Sequence, residues 1–312
     1  MMPSTPLNKN AFALSIVLWI VAAILFATAM LATLAKDTHS LTKGIDSKLK
    51  AQLRAESILE ILKFHILTSD FDNNSFKIIH IKNTQEQFPP QIIADGRWYS
   101  IGDKIQFRIQ DTANMINVMK TRAKSVASLI TKDQERELRY TIEDSLKDWR
   151  DKDNVVSLNG AESSYYALEK LVKYPIRNSK AIQSVDELRL IKGFDTMSTK
   201  RWNAIKQKMY YGNGNVANLT IVDAKYLSYL LKINKSQADA LIQLRKKDLN
   251  KFIALAYSSK YFNDSYMGFS LSKQLQIEIK VTVENAVSII KTLIDFRMKK
   301  EHLYTTIEYL QE

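Results

Sequence analysis

The most constraining feature of this sequence is an apolar run over residues 12–35, FALSIVLWIVAAILFATAMLATLA, which contains no charged residue, no Pro and no Gly. A helix rises 1.5 Å per residue, so roughly 24 residues span the bilayer core of about 30 Å. A secretory signal peptide carries a shorter apolar region of about 7–15 residues. The run therefore predicts a retained transmembrane helix, and everything after it must fold on one side of a membrane.

The charges that flank this helix indicate its orientation. Only Lys9 and the amino terminus carry positive charge before the run. Short flanks of this kind are the ones that the positive-inside rule counts. We therefore expect the long remainder of the chain to lie across the membrane.

Composition limits the classes of function. With 45 Lys and Arg against 33 Asp and Glu, the formal net charge is +12, which could serve nucleic acid, anionic lipid or an acidic partner. The lysines are scattered rather than clustered, which favours a solvated basic surface. The chain has no Cys, which excludes structural disulfides, Cys-ligated zinc and thiol catalysis.

No catalytic set is visible, and we predict that the chain is not an enzyme. The H-E-x-x-H, G-x-S-x-G and phosphate-loop patterns are absent from the sequence. Its four histidines are scattered over different predicted elements, and we interpret each as a surface or sheet residue rather than a ligand: His39, His65, His80 and His302.

Hydrophobic periodicity predicts the fold. Apolar residues recur every three or four positions over residues 45–66, which predicts an amphipathic helix that continues the anchor after a break near Gly44. Strand-like alternation follows at residues 76–81 and 105–109 and returns at 277–283. Antiparallel neighbours of the last strand are predicted at residues 287–296 and 304–310. These strands predict a half-exposed antiparallel sheet with one face on the long helix.

Between the two groups of strands the pattern is helical. The predicted helices cover residues 118–130, 135–149, 184–191, 198–208, 221–231 and 236–245. The predicted fold class is therefore α+β: a long amino-terminal transmembrane and amphipathic helix packs on a small antiparallel sheet, and a large all-helical domain is inserted. The predicted divisions are a transmembrane helix at 12–35, a core at 36–111 and 274–312, and an inserted domain at 112–273.

The start of the apolar run resembles a type IV prepilin-type signal, with Lys9 and Asn10 before a small residue, Ala11, and an apolar helix from Phe12. This resemblance implies a leader at residues 1–11, cleavage by a prepilin peptidase between Ala11 and Phe12, and N-methylation of Phe12. Most such subunits carry Glu at mature position five, where this chain has Ile16. A carboxylate in a membrane is kept where it pairs, so Ile16 indicates a special position in an assembly.

A second resemblance lies in residues 145–194, inside the predicted insertion. The segment resembles the minor pseudopilin K of type II secretion systems (general secretion pathway protein K), a family with D-W-x-D-x-D, N-G-A-E, Y-Y and S-x-x-E-L-x-x-[VI]-x-G patterns. The matching residues here are Asp148, Trp149, Asp151, Asp153, Asn159, Gly160, Ala161, Glu162, Tyr165, Tyr166, Ser184, Glu187, Leu188 and Gly193.

This resemblance implies a pilin-like fold and a place at the tip of the periplasmic pseudopilus. The implied partners are the minor pseudopilins I and J, other pseudopilins, inner-membrane platform proteins and the prepilin peptidase. The implied location is the bacterial inner membrane, single-pass, with the bulk of the chain in the periplasm. The implied role is to prime fibre assembly and help export folded proteins across the outer membrane. Bound calcium in the helical domain is implied as well.

The acidic residues of the segment are the candidate ligands. Asp151 and Asp153 stand at positions 1 and 3 of a window that ends at Glu162, as in an EF-hand loop. Val155 and Val156 occupy positions 5 and 6, where that loop has a ligand and a glycine, so a true EF-hand is not expected.

Two interpretations of these acids remain open. The family resemblance implies that calcium binds here, with Asp148, Asp151, Asp153 and Glu162 as the predicted ligands. Alternatively, the first two acids cap a helix end or pair with its basic neighbours: Arg150 and Lys152.

The rival function is nucleic-acid binding. Residues 188–205 resemble a helix-hairpin-helix, whose turn around Gly193 can offer backbone N–H groups to a phosphate, and residues 227–245 form a degenerate second copy. A membrane-anchored, periplasmic, competence-type DNA receptor would use such motifs. Asp195 stands where the motif has a second Gly, however, and its charge would repel phosphate. The sequence therefore favours a packing unit over a nucleic-acid site.

Overall fold

The computed structural model describes five segments of the chain: residues 9–78, 87–169, 182–212, 216–297 and 302–311. The predicted leader residues 1–8 lie outside them, and for Ala11 and Phe12 only the helical backbone is described.

The first element, α1 (Lys9–Thr68), is one continuous helix of 60 residues. The predicted break near Gly44 is wrong, because a glycine removes no backbone hydrogen bond and costs a helix only about 0.5–1 kcal/mol relative to Ala. Among the described residues, α1 is the one helix long and apolar enough to cross a membrane, and its apolar window is unburied.

Four strands follow α1. Two of them, β1 (Ser75–Lys77) and β2 (Gln91–Ile93), form a small separate antiparallel pair. The strand predicted at residues 76–81 thus lies in β1 in part, and its residues 79–81 fall outside the described segments. The next two, β3 (Asp95–Ile101) and β4 (Ile105–Asp111), pair as an antiparallel ladder at the edge of the main sheet.

The insertion contains helices and very short strands. Its short strands are β5 (Ile116–Asn117), β6 (Met209–Tyr210), β7 (Ala217–Asn218) and β8 (Met267–Gly268). Its α-helices are α2 (Ala123–Ile130), α3 (Arg136–Arg150), α4 (Ser163–Glu169), α5 (Thr199–Lys206), α6 (Ala224–Leu231), α7 (Lys235–Lys247) and α8 (Leu249–Tyr257).

The insertion is not the all-helical domain that was predicted, because it contains the short strands β5 to β8. The helix α2 begins at Ala123 rather than at residue 118. The segment at 184–191 forms a 3-10 helix, Asp186–Leu190, and α4 and α8 were not predicted. The helix α4 has only seven residues, too few for a periodic pattern. The helix α8 is separated from α7 by Asp248 alone, which is the carboxyl-terminal cap of one and the amino-terminal cap of the other.

The chain then returns to the sheet with β9 (Gln274–Val283), β10 (Ala286–Asp295) and β11 (Thr305–Gln311). The strand order is β11-β10-β9-β4-β3, with antiparallel pairs throughout. Alternate residues of β4 and β9 are buried, among them Phe107 and Ile279, and they share a hydrophobic cluster with Ile58 and Leu62 of α1. The predicted α+β architecture is confirmed.

Within the described residues the insertion has two hydrophobic clusters of its own. One surrounds Trp149, Phe194 and Trp202, and the other surrounds Leu227 and Phe252. The insertion therefore consists of two successive packed units with separate cores.

The two ends of the insertion are tied together where it leaves and re-enters the sheet. Asp111, at the end of β4, is fully buried and accepts hydrogen bonds from the backbone N–H of Ala113 (2.9 Å) and of Ser272 (2.7 Å). The Ser272 hydroxyl donates to the same carboxylate. These contacts hold the entry and exit of the insertion side by side.

The histidines follow the prediction only in part. His65 is buried on the core side of α1, where its ring meets Phe64 and Phe88 edge-on at 5.8 and 5.5 Å. The expectation of a surface or sheet position was wrong for this residue, because it follows Leu62 on the face that packs against the sheet domain. His39 and His302 are exposed, and His80 lies outside the described residues.

Candidate metal centre

Three carboxylates meet at the carboxyl-terminal end of α3. Asp148 lies in the last turn of α3, Asp151 follows the helix directly, and Glu162 precedes α4, after the chain has turned back. One carboxylate oxygen from each residue lies within 4.8 Å of the others. The end of a helix where carbonyl groups are exposed carries partial negative charge, so helix and side chains together favour a cation. We call these three residues the carboxylate cluster.

Glu162 is the least satisfied member of the carboxylate cluster. Its side chain is 2% exposed, and neither of its carboxylate oxygens has a hydrogen-bond partner among the described residues. Burial, together with the negative charges of Asp148 and Asp151, raises the pKa of Glu162 to about 7. A buried charged carboxylate without a partner is destabilising, so this position favours either protonation of Glu162 or a bound cation.

Asp151 also lacks part of its hydrogen bonding. Its Oδ1 has no hydrogen-bond partner among the described residues. Burial raises the pKa of Asp151, and the nearby charges of Asp153 and Asp148 add to the effect.

Asp148 is held in place by the turn at residues 157–160. Its carboxylate accepts hydrogen bonds from the backbone N–H of Ser157 (3.0 Å) and from the Ser157 hydroxyl (2.5 Å). A Cβ atom on Gly160 would lie 2.0 Å from Asp148 Oδ2. Only glycine therefore allows the turn to approach this carboxylate so closely.

Two residues anchor the same turn without being part of the carboxylate cluster. Asp144, one helical turn before Asp148, accepts hydrogen bonds from the Asn159 N–H (3.0 Å) and from its side-chain Nδ2 (2.9 Å). From the other side the Lys192 ammonium donates to the carbonyls of Asn159 (3.3 Å) and Gly160 (3.0 Å). Asp144 was not predicted, although its four-residue spacing from Asp148 places both residues on one helix face.

The fourth predicted ligand, Asp153, lies close enough to the carboxylate cluster for its charge to raise the pKa of Asp151 and Glu162. Asp153 is exposed, and its Oδ1 accepts a hydrogen bond from the Val155 N–H at 2.9 Å. It is not a member of the carboxylate cluster.

The alternative of a capped or salt-bridged helix end is only half right. Asp151 is the carboxyl-terminal cap residue of α3, and its backbone N–H donates to the Lys147 carbonyl at 3.0 Å, but the expected ion pairs do not form among the described residues. Arg150 instead donates to the carbonyls of Thr121 (2.9 Å) and Val118. Within the described part of the chain, neither Asp148 nor Asp151 forms an ion pair with a basic neighbour.

Other residues of the pattern in residues 145–194 pack and hydrogen-bond around the carboxylate cluster. The Trp149 indole N–H donates to Glu187 Oε1 at 2.9 Å, and the Ser184 hydroxyl accepts from the Glu187 N–H at 3.2 Å. The ring of Tyr166 meets that of Trp149 edge-on at 5.1 Å, and its hydroxyl accepts from the Lys192 N–H at 3.2 Å. Residues that are distant in sequence thus hold α3, α4 and the 3-10 helix together.

The hairpin around Gly193 packs inside the protein. The Gly193 N–H donates to Asp195 Oδ1 at 3.0 Å, and the N–H groups of Phe194 and Asp195 donate to the Ile191 carbonyl at 3.0 and 3.1 Å. A Cβ on Gly193 would lie 2.9 Å from Ile142 of α3. Because its N–H groups are engaged internally, the turn gives no support to phosphate binding.

The donor set of the carboxylate cluster fits a hard divalent cation. Calcium is bound by several oxygen ligands, carboxylates above all, and Asp148, Asp151 and Glu162 offer carboxylate oxygens alone. The unpartnered, buried oxygens of Glu162 are the observation that distinguishes this cluster from a solvated group of acids.

Fold and site together define a pilin-like protein with one long apolar helix and a large insertion in its sheet domain. The family model for the first domain of "Type II secretion system (T2SS), protein K" matches residues 110–203. This match confirms the resemblance to the type II secretion minor pseudopilin K family that residues 145–194 predict.

A solved structure agrees at the level of fold. The chain is similar to a chain of the crystal structure of the GspK-GspI-GspJ complex from the type II secretion system of enterotoxigenic Escherichia coli. The TM-score is 0.53 at 18% sequence identity, and the match covers 88% of this chain and 99% of that chain. The comparison with curated protein sequences gives no match.

Proposed function

We propose that this chain is a minor pseudopilin at the tip of the type II secretion pseudopilus. There it assembles with the minor pseudopilins I and J, primes fibre assembly and helps export folded proteins across the outer membrane. The supporting observation is the match of residues 110–203 to protein K within a fold similar to a chain of the K–I–J complex.

The architecture suits a mechanical role. The apolar part of α1 is unburied, so before assembly it can span the inner membrane as a single-pass anchor, with the bulk of the chain in the periplasm. Other pseudopilins and the platform proteins would then meet this helix. The insertion lies between β4 and β9, and such bulk obstructs stacking of a further subunit above it. Ile16, in place of the usual Glu, points to the same terminal position.

Processing of the amino terminus tests the proposed class. We expect the intact mass of the membrane-purified protein to show loss of residues 1–11 and gain of one methyl group on Phe12, only in cells that have the prepilin peptidase. An Ala11→Ile variant should stay uncut, because a bulky residue replaces the small one before the cleavage site. A wild-type chain that stays uncut would contradict this proposal. So would a chain that is cut after Ala35, at the end of the apolar run, as a secretory signal peptide would be.

The proposed assembly has its own test. The full chain should co-purify with both minor pseudopilins from detergent-solubilised membranes. Ile16→Glu should leave folding intact and change the position of the subunit in the assembly. Unchanged incorporation and secretion would count against a role for the missing carboxylate.

A calcium ion at the carboxylate cluster is part of this proposal. Asp148, Asp151 and Glu162 would hold it, and its charge would neutralise carboxylates that have too few partners in the fold. A ligand that binds only the folded state stabilises it by about 2.7 kcal/mol at a hundred times its Kd. The wild-type chain in detergent should therefore melt at a higher temperature in calcium than in EDTA.

Two variants sharpen that experiment. Glu162→Gln keeps the shape and removes the charge, so the gain in melting temperature with calcium should largely disappear. Asp264→Asn is the matched control, because Asp264 is exposed, lies outside the carboxylate cluster and is not among the charges that raise the pKa of Asp151 or Glu162; it should keep the full gain. Identical wild-type melting curves in calcium and EDTA would contradict the proposed site.

A further inference from the structure

We infer that Asn159 is a positioning residue for the cation: it fixes the turn at residues 157–160 and thereby sets the affinity of the carboxylate cluster from outside it. This inference rests on the proposed calcium site. Asn159 is not among the three clustered carboxylates, and it carries no charge.

The turn is anchored from two sides through Asn159. Its N–H and its side-chain Nδ2 both donate to one oxygen of Asp144, at 3.0 and 2.9 Å. Its carbonyl and that of Gly160 accept from the Lys192 ammonium, which also lies 5.1 Å above the Tyr165 ring. The anchors belong to different elements, α3 and the hairpin loop, so the turn is located relative to both.

The position of the turn then determines where the carboxylate of Asp148 can lie. Ser157 donates twice to this carboxylate, and the backbone of Gly160 approaches it so closely that no Cβ fits between them. A shift of the turn must therefore move the carboxylate of Asp148, one of the three that would hold the cation. Groups that orient metal ligands typically change metal affinity about 10- to 100-fold when they are removed.

The Asn159→Asp substitution should change calcium affinity in opposite directions, depending on whether charge or the position of the turn has the larger effect. Asn159→Asp adds a negative charge beside the carboxylate cluster, which by charge alone should tighten calcium binding. It also replaces the donor that faces Asp144 with a second carboxylate, which should push the turn away and weaken binding. The sign of the change therefore separates the two effects.

The experiment measures calcium affinity of the full chain in detergent by titration calorimetry, together with the melting temperature in EDTA. Asn159→Ala should raise the Kd for calcium about tenfold, and Asn159→Asp should raise it as well. Asn154→Ala is the matched control, since Asn154 is exposed in the same loop, and its Kd should equal that of the wild type.

The outcomes are distinct. A role in folding alone would lower the melting temperature of Asn159→Ala in EDTA and leave its calcium Kd unchanged, which would overturn the inference. Tighter binding by Asn159→Asp would overturn it too. A wild type that binds no calcium would refute the proposed calcium site itself, and this inference with it.

Discussion

Gly160→Ala tests most directly how the carboxylate cluster is built. The new methyl group would lie 2.0 Å from Asp148 Oδ2, 2.8 Å from its Cγ and 3.2 Å from Ser157 Cβ. A separation under 3 Å forces something to move. Either the carboxylate rotates away or the turn shifts, and in both cases the hydrogen bonds between Ser157 and Asp148 are lost.

The size of the effect follows from those bonds. Each hydrogen bond to a charged group contributes about 1.5–3 kcal/mol, and Asp148 is fully buried, so water does not replace the lost partners. We expect Gly160→Ala to lower the free energy of unfolding by about 3 kcal/mol or more. For a cooperative unit of about 100 residues, the size of the first unit of the insertion, this corresponds to a fall of roughly 12–24 °C in melting temperature. The calcium-dependent gain should fall as well, because a ligand is displaced.

The assay is thermal unfolding followed by tryptophan fluorescence, which reports on the buried Trp149 and Trp202 of this unit. A double-mutant cycle tests whether the effect comes from the clash with the Asp148 carboxylate. With Asp148→Ala in place the clashing oxygen is gone, and Gly160→Ala should then be nearly neutral. If it is as destabilising in that background as in the wild type, the steric argument is wrong.

Three further perturbations test other parts of the fold. Trp149→Phe removes the donor to buried Glu187 and should destabilise by about 1–3 kcal/mol; denaturant unfolding followed by circular dichroism measures it, and an unchanged midpoint would contradict the role given to this bond. Burial raises the pKa of Asp111 from 3.8 to about 6, so the folded state holds this proton more tightly than the unfolded state does; the free energy of unfolding should fall by about 2 kcal/mol as the pH rises from 4 to 7. Asp111→Asn should lack that part of the slope, and parallel stability profiles for the two proteins would refute the assignment. Gly44→Ala should stabilise α1 locally by about 0.5–1 kcal/mol, since a Cβ there meets nothing within 4 Å; slower amide exchange around this position would confirm it, and faster exchange would indicate a required break.

The parts of the fold that could be predicted from sequence are those with a long, regular pattern. The uncharged run at residues 12–35 predicts the anchor because every position contributes to the signal. The alternation at 277–283 predicts β9 for the same reason. The helix break predicted near Gly44 was wrong, because a glycine breaks a helix only where packing or a turn requires it. The helices α4 and α8 were missed because they are short or lie directly against another helix.

Three of the four predicted ligands, Asp148, Asp151 and Glu162, form the carboxylate cluster, but no sequence pattern shows that Asp153 lies outside it. An EF-hand-like spacing groups Asp151, Asp153 and Glu162 along the chain. In the fold the carbonyl-exposing end of α3 brings Asp148 in, while Asp153 turns outward to bind the Val155 N–H. The contacts of Asp144 with Asn159 span 15 positions, and no local pattern reveals a pairing of that kind.

The location of the carboxylate cluster also indicates which parts of the protein can unfold independently. Its carboxylates come from the end of α3 and the segment before α4. The surrounding hydrophobic cluster, which contains Trp149 and Phe194, shares no member with the cluster that joins α1 to the sheet. Because carboxylates from separated segments meet only in the folded state, the free energy of binding a cation there is free energy of folding for that unit. The sheet domain has no such dependence among its described residues, since its core is closed by apolar contacts with α1. Removal of a cation should therefore loosen the first unit of the insertion while the anchor and sheet remain folded, with the contact between Asp111 and Ser272 keeping the two ends of the insertion in place.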